Sequence, residues 1–172
     1  LMRDPNPVIL LLPGVGLFSF AKNKQTARVA SEFYCNAINV MRGAEAISSY
    51  TALPLQEAFD IEYWLLEEAK LQRMPKEQPL TRKIALVTGA GGGIGKSIAK
   101  KLVTEGAVAV LLDISETNLD NALKDFSADQ ATAVVCDINN PEAIKQAIQK
   151  ACLTFGGIDI VVHSAGLAIS KP

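Results

Sequence analysis

The chain has 172 residues, 49% of them hydrophobic, with 17 basic and 18 acidic side chains and a formal net charge of −1. That is enough apolar material for a core, and the even charge balance gives no sequence-wide pull toward nucleic acid or an anionic membrane. The longest aliphatic runs, such as Val8–Leu12 and Val108–Leu112, fall far short of the roughly 20 apolar residues a membrane-spanning helix needs, and the first residues lack the layout of a secretion signal.

In chain order, Val8–Leu12 reads as a strand and Pro13-Gly14-Val15-Gly16 as a structural turn. This turn is a decoy for a phosphate loop: Pro13–Ser19 lacks a third glycine, and no acid-ended strand follows at the right distance. A helix is expected from about Lys24 to Met41, and a second from about Leu55 to Arg73. The apolar residues of the second helix, Phe59, Ile61, Trp64, Leu65, Leu66 and Leu71, spread widely around its axis, which calls for cover on more than one side. The polar stretch Met74–Arg82, with prolines at 75 and 79 and no periodicity, reads as a linker. Residues 1–75 then form a first, mainly helical segment, 76–82 the linker and 83–172 a second domain.

The second domain alternates strand and helix. Lys83–Val87 is a strand; Ile94, Ile98, Ala99, Leu102 and Val103 make one helical face, and Gly106 stops that helix. Ala107–Leu112 is the next strand, and Ser115 caps a helix with the stripe Leu119, Ala122, Leu123 and Phe126. Ala131–Cys136 is the third strand. Asn140 and Pro141 open a helix with the stripe Ile144, Ala147, Ile148, Ala151 and Phe155, which Gly156-Gly157 ends, and Ile158–Val162 is the fourth strand. Strands apolar on both faces, joined by helices, predict an α/β fold: part of a Rossmann-like, doubly wound parallel sheet with four strands and three crossover helices.

Between the first strand and first helix of this domain lies TGAGGGIGKS, Thr88 to Ser97. Glycines between a strand and a helix suit a phosphate. The Gly95-Lys96-Ser97 ending resembles a P-loop, and Val110–Asp113 could pose as its metal-directing strand. However, the P-loop pattern needs glycine at position 90, where the chain has Ala90, and Lys96 and Ser97 fall on or near a solvent face. Strict G-x-G-x-x-G fails at every start. The spacing Thr88-Gly89-x-x-x-Gly93-x-Gly95 fits without gaps.

That spacing resembles the cofactor motif of the short-chain dehydrogenase/reductase family. The resemblance implies that Gly89, Gly93, Ile94 and Gly95 approach a dinucleotide pyrophosphate. It also implies that Asp113, at the end of the next strand and eighteen residues after Gly95, accepts hydrogen bonds from the adenosine ribose. A carboxylate there repels a ribose 2′-phosphate; the competing reading of Asp113 is a helix-capping or turn aspartate. Ile114 rather than arginine follows it, and Gly92 is not basic, so NAD is expected rather than NADP. Asp137 and Ile138 stand where the family meets the adenine ring; the lesser alternative for Asp137 is a solvated turn aspartate before the Asn140 cap. The family's Asn-Asn-Ala-Gly is here His163-Ser164-Ala165-Gly166, so Ala165 and Gly166 carry over to the cofactor while the asparagine roles do not.

The family's catalytic Tyr-x-x-x-Lys pair with its serine is not found. Four residues after Tyr34, Tyr50 and Tyr63 stand Ile38, Pro54 and Glu67, and Ser170 and Lys171 have no tyrosine near them. The chain on its own is therefore expected to be inactive, an internal piece of a longer protein whose remainder covers the fourth strand. The first half, PVILLLPGVGLFSFAKNKQTARVASEFYCNAINVMRGAEAISSY and then QEAFDIEYWLLEEAKLQR, is similar to the junction in bifunctional proteins that join a class II (zinc) aldolase to a short-chain dehydrogenase, of the rhamnulose-1-phosphate aldolase/alcohol dehydrogenase type. The resemblance implies a parent acting on a small alcohol or aldehyde such as lactaldehyde, cytoplasmic, and a homo-oligomer or in contact with the rest of its own chain. Zinc ligands are not expected here, since His163 is the only histidine; Cys35, Cys136 and Cys152 form no Cys-x-x-Cys pair and read as reduced core or near-core residues. The competing functions are a dinucleotide-binding or scaffolding module without chemistry and a P-loop hydrolase.

Overall fold

The computed structural model describes residues 6–166. The chain divides into two compact units, one drawn from residues up to 20 together with 27–77, the other from 21–26 together with 78 onward. Among the described residues no helix is long and apolar enough to cross a membrane.

In the first unit Ile9–Leu12 (β1) and Gly16–Ser19 (β2) pair antiparallel, with Leu12 opposite Gly16. The Val15 N–H closes the turn onto the Leu12 carbonyl at 3.0 Å. The sequence predicts a turn here and no second strand; β2 is too short for its alternation to signal on its own. Lys24–Ile47 (α1), which belongs to this unit from Ala27 onward, starts where Asn23 Oδ1 accepts the Thr26 N–H at 2.8 Å, and it continues past the expected Met41 through Gly43.

Leu55 to Arg73 is two helices rather than the expected one: Leu55–Glu62 (α2) and Leu65–Arg73 (α3). Tyr63 ends α2 by donating its N–H to Phe59 O, and its ring stacks on Phe59 at 4.5 Å. Trp64 then takes extended backbone (ψ 133°). Glu67 and Glu68 occupy the first turn of α3 and Lys70 and Arg73 the last, the charge order the helix dipole favours. Periodicity cannot see this break, because α3 resumes the apolar pattern at once. No residue of α1, α2 or α3 is buried, and Phe59, Ile61, Trp64, Leu65, Leu66 and Leu71 remain exposed.

In the second unit Ile84–Thr88 (β3), Val108–Asp113 (β4), Ala131–Val135 (β5) and Ile160–His163 (β6) form one parallel sheet in the order β5-β4-β3-β6. Gly93–Thr104 (α4), Glu116–Leu123 (α5) and Pro141–Phe155 (α6) are the crossovers. This is the expected four-strand, three-crossover α/β arrangement. Side chains alternate across the strands. Val87, Ala109 and Leu111 therefore pack on one face against Ala99 of α4 and Leu119 and Ala122 of α5. Leu86, Val110 and Leu112 pack on the other against Ala147 and Ala151 of α6. Strands β3 and β4 are covered on both sides, which is why they read as unbroken aliphatic runs. Each fully buried side chain, such as Leu111 or Val110, contributes about 1.5–3 kcal/mol by leaving water.

The helix ends follow the local chemistry. Ser115 Oγ accepts the Asn118 N–H at 3.3 Å, and Asn140 Oδ1 accepts those of Glu142 and Ala143, with Pro141 in the first turn. Gly156, at φ +102°, ends α6. Upstream, the approach to β3 is held by Leu80 N–H on Glu105 O at 2.8 Å. Successive strands step outward from β3 to β4 to β5, and then α6 carries the chain back to β6 on the far side of β3. A crevice opens at such a reversal, outside the carboxyl ends of the strands.

Candidate functional site

The crevice is a cleft of about 590 Å³ at the carboxyl ends of the sheet and the first turn of α4. All ten residues singled out in the sequence line it: Gly89, Gly93, Ile94, Gly95, Asp113, Ile114, Asp137, Ile138, Ala165 and Gly166. Topology explains the gathering. Gly89 follows β3, Asp113 ends β4, Asp137 follows β5, and Ala165 and Gly166 follow β6.

The glycine loop is packed by its own backbone. Gly89 sits at φ +66°, and a Cβ there would lie 2.8 Å from Ala165 N and Cα. A Cβ on Gly95 would lie 2.7 Å from the Gly89 carbonyl carbon, so α4 can rest on the loop only if position 95 is glycine. Gly93 differs: nothing stands within 4 Å of its would-be Cβ. The fold itself asks for glycine at 89 and 95, whereas at 93 it leaves open space at the helix start. Helix α4 has no side-chain cap, and its first intrahelical acceptor, Gly92 O, is taken by Lys96 N–H. The amides of Gly93, Ile94 and Gly95 are thus left without an intrahelical partner at the positive end of the helix.

Thr88, 5% exposed, ties the two halves of the cleft. Its Oγ1 accepts the N–H groups of Ser164 and Ala165, each at 3.1 Å, and donates to Val162 O at 3.4 Å. The half-buried Asp113 carboxylate accepts Gly91 N–H on Oδ2 and Ser115 N–H on Oδ1, both at 3.0 Å. Asp137 Oδ1 accepts the Asn139 backbone N–H at 2.9 Å and its side-chain amide at 3.1 Å. It is the turn aspartate of the Asn140 cap and a cleft residue at once. Ile94, Ile114 and Ile138 also line the cleft and are 75%, 70% and 43% exposed, so they give it an apolar, solvent-facing border. The sequence also puts Ile94 on the core face of its helix; in the structure it is exposed and lines the cleft, at the first turn of α4 beside the glycine loop.

Lys96 and Ser97 do not line the cleft. Lys96 Nζ pairs with Asp125, in the turn after α5, and donates to Asn121 O; Lys100 joins Asp125 at 2.9 Å. These two lysines hold the Asp125 carboxyl below the usual carboxylate range. Ser97 Oγ donates to Gly93 O at 2.7 Å. A P-loop lysine must reach phosphate, and this one is tied to the α5 side. Cys136 is buried and lines the cleft; burial first, then neighbouring Asp137, pushes its thiol up. Cys35 and Cys152 are exposed, against the core or near-core expectation, since neither falls on a buried stripe of α1 or α6. His163 is exposed at the end of β6, opposite Thr88. Ser170 and Lys171 lie outside the described residues.

Sequence reasoning missed Gly92, Leu112, Cys136, Asn139 and Ser164 among the lining residues. Each is a chain neighbour of a predicted one, which was the available signal.

Residues 83–172 match the short chain dehydrogenase family model. The chain belongs to the short-chain dehydrogenase family. Residues 1–71 match the model of the class II aldolase second domain. Across the junction, the chain is 36% identical over 173 residues to the uncharacterized oxidoreductase YuxG of Bacillus subtilis (strain 168), covering 96% of this chain and 25% of that protein. An uncharacterized oxidoreductase of Staphylococcus aureus (strain MW2) is 46% identical over 92 residues, covering 54% of this chain and 40% of the relative. Among solved structures, a hydroxysteroid dehydrogenase from Escherichia coli matches at TM-score 0.51 and 36% identity, covering 54% of this chain and 40% of that one. A short-chain dehydrogenase/reductase named glucose/ribitol dehydrogenase, from Brucella melitensis, matches at TM-score 0.53 and 31% identity, covering 56% of this chain and 40% of that one. The chain thus spans a quarter to two fifths of the length of these relatives. Members of this dehydrogenase family use NAD or NADP.

Proposed function

We propose that the chain is the NAD-binding part of a short-chain dehydrogenase that moves hydride between NAD and a small alcohol or aldehyde, within a bifunctional aldolase/dehydrogenase. The observation that carries this reading is the Asp113 carboxylate at the end of β4, lining the same cleft as the uncapped start of α4. NAD, when bound, supplies the hydride acceptor and donor. The amides of Gly93, Ile94 and Gly95, with the dipole of α4, suit a pyrophosphate, and the open space at Gly93 lets it approach. The carboxylate of Asp113 suits two ribose hydroxyls and opposes a 2′-phosphate, favouring NAD over NADP. Asp137 and the apolar side chains of Ile114 and Ile138 suit the adenine, and Ala165 and Gly166 give the ribose room on the β6 side.

The match of residues 1–71 supports the aldolase fusion, and lactaldehyde is the first substrate to try. No tyrosine in the chain is followed by lysine four residues on, so the chain by itself holds the dinucleotide without turning substrate over. We assign the parent to the cytoplasm, this part of it meeting a second copy or the rest of its own chain, with neither nucleic acid nor membrane as partner. Separate titrations with NADH, NADPH and Mg-ATP test the reading. NADH binding tightest is the expected result. Mg-ATP binding tightest, with loss on Lys96→Ala, would overturn it in favour of the P-loop, and dehydrogenase turnover by the chain alone would overturn the division of labour.

A further inference from the structure

Gly91 is the middle one of the three residues between the first two motif glycines, all of which the family pattern leaves free. Its surroundings are nonetheless closed. A Cβ on Gly91 would lie 2.7 Å from Asn118 Cβ and 2.9 Å from both Cγ and Oδ2 of Asp113. Its N–H is the donor to that same Oδ2 at 3.0 Å, and the Ser115 N–H holds Oδ1. Three segments therefore meet at one carboxylate: the glycine loop, the end of β4 and the Ser115 cap of α5. We propose that Gly91 is a specificity-determining residue: by presenting a bare amide where any side chain would collide, it seats the Asp113 carboxylate in the position that selects NAD over NADP.

The inference rests on the reading of Asp113 given under the proposed function. An ionised carboxylate has about four lone-pair sites. The two backbone donors take one on each oxygen, which fixes the carboxylate plane and leaves a second site on each oxygen for an incoming diol. A carboxylate tethered at both oxygens cannot swing aside from a 2′-phosphate, so the tether sharpens rejection of NADP as well as acceptance of NAD. A side chain at 91 removes this in two ways: it displaces Asp113 and Asn118 sterically, and the shift breaks the Gly91 amide bond to Oδ2. Asn118 matters here only as the wall behind Gly91.

The test is the ratio of NADPH to NADH dissociation constants, measured by fluorescence titration of the full chain and four variants, with thermal melting of each as the folding control. The unaltered chain should favour NADH. Gly91→Ala should lower that preference by roughly tenfold or more, the loss expected when a charged hydrogen-bonding group is unseated. In an Asp113→Ala background the same glycine substitution should leave the ratio unchanged, because its effect passes through the carboxylate. Asp113→Glu keeps the charge but moves it one methylene past the two amides, so it too should lose the preference, and it tests the seat without touching the crowded loop. If Gly91→Ala melts early, Asp113→Glu decides. Asp113→Ala losing the preference while folded Gly91→Ala or Asp113→Glu retains it would overturn the role of the seat alone. A chain that binds neither dinucleotide, or whose ratio is indifferent to Asp113→Ala, would overturn the underlying NAD reading and this inference with it.

Discussion

Gly93 and Gly95 stand two residues apart in the same helical turn, yet alanine at the two positions should have opposite signatures. At 95 the new Cβ would lie 2.7 Å from the Gly89 carbonyl carbon and 3.0 Å from Ala90 Cα, both backbone atoms that cannot rotate away. Forcing a methyl into such a place costs about 1–3 kcal/mol. For a unit of this size that is a melting-temperature fall of roughly 4–24 °C. At 93 no atom lies within 4 Å and the backbone is not left-handed. Alanine there should leave the melting temperature unchanged or raise it slightly, since glycine is worth up to about 1 kcal/mol less than alanine inside a helix. The methyl would instead project into the space above the three unpaired amides of α4. Losing charge-assisted bonds of about 1.5–3 kcal/mol corresponds to NADH binding weakened by roughly 10–150-fold. Thermal melting and NADH titration on the two variants read both effects. NADH affinity unchanged in a folded Gly93→Ala protein would refute the idea that the open space belongs to a ligand, and an unchanged melting temperature in Gly95→Ala would refute the packing argument.

Thr88→Val removes the acceptor for two backbone N–H groups beneath the cleft; stranding them should cost about 1–3 kcal/mol and lower the melting temperature by several degrees, with Thr88→Ser largely restoring it. Cys136, buried and with its thiol pushed up, should react with iodoacetamide far more slowly than Cys35 or Cys152 at mildly alkaline pH, and NADH should slow it further; peptide mass mapping of the labelled chain gives the order. The Asp125 carboxyl is lowered by Lys96 and Lys100, so its stabilising contribution is present above the ordinary aspartate value and is lost as pH falls from there through the lower native value. Asp125→Asn should therefore narrow the melting-temperature difference between neutral and strongly acid pH, and salt should shrink the effect, because the pair is open to solvent.

The second unit was legible in the sequence because its signals are local. Ser115, Asn140-Pro141 and Gly156 each do at a helix end what their side chain or backbone freedom dictates, and the central strands are aliphatic because both faces are covered. The ten cleft residues could be gathered in advance because motif spacing and strand ends coincide in this topology. Features that depend on long-range contact or on a single backbone angle were not legible. Trp64 breaks a helix whose apolar pattern runs on without interruption, and β2 is visible only through its pairing with β1. Ile94 fits a core stripe by spacing, but it stands in the first turn of its helix, exposed and lining the cleft. The crowding of Gly91 by Asp113 and Asn118 joins residues 22 and 27 positions apart, and no pattern in the loop announces it.

The most direct measurement of the central claim is a crystal structure of the chain grown with NADH. The account predicts the adenosine ribose hydroxyls on Asp113, the pyrophosphate against the amides of Gly93–Gly95 and the adenine between Ile114 and Ile138. A dinucleotide bound elsewhere, or in this cleft with its ribose away from Asp113, would contradict it.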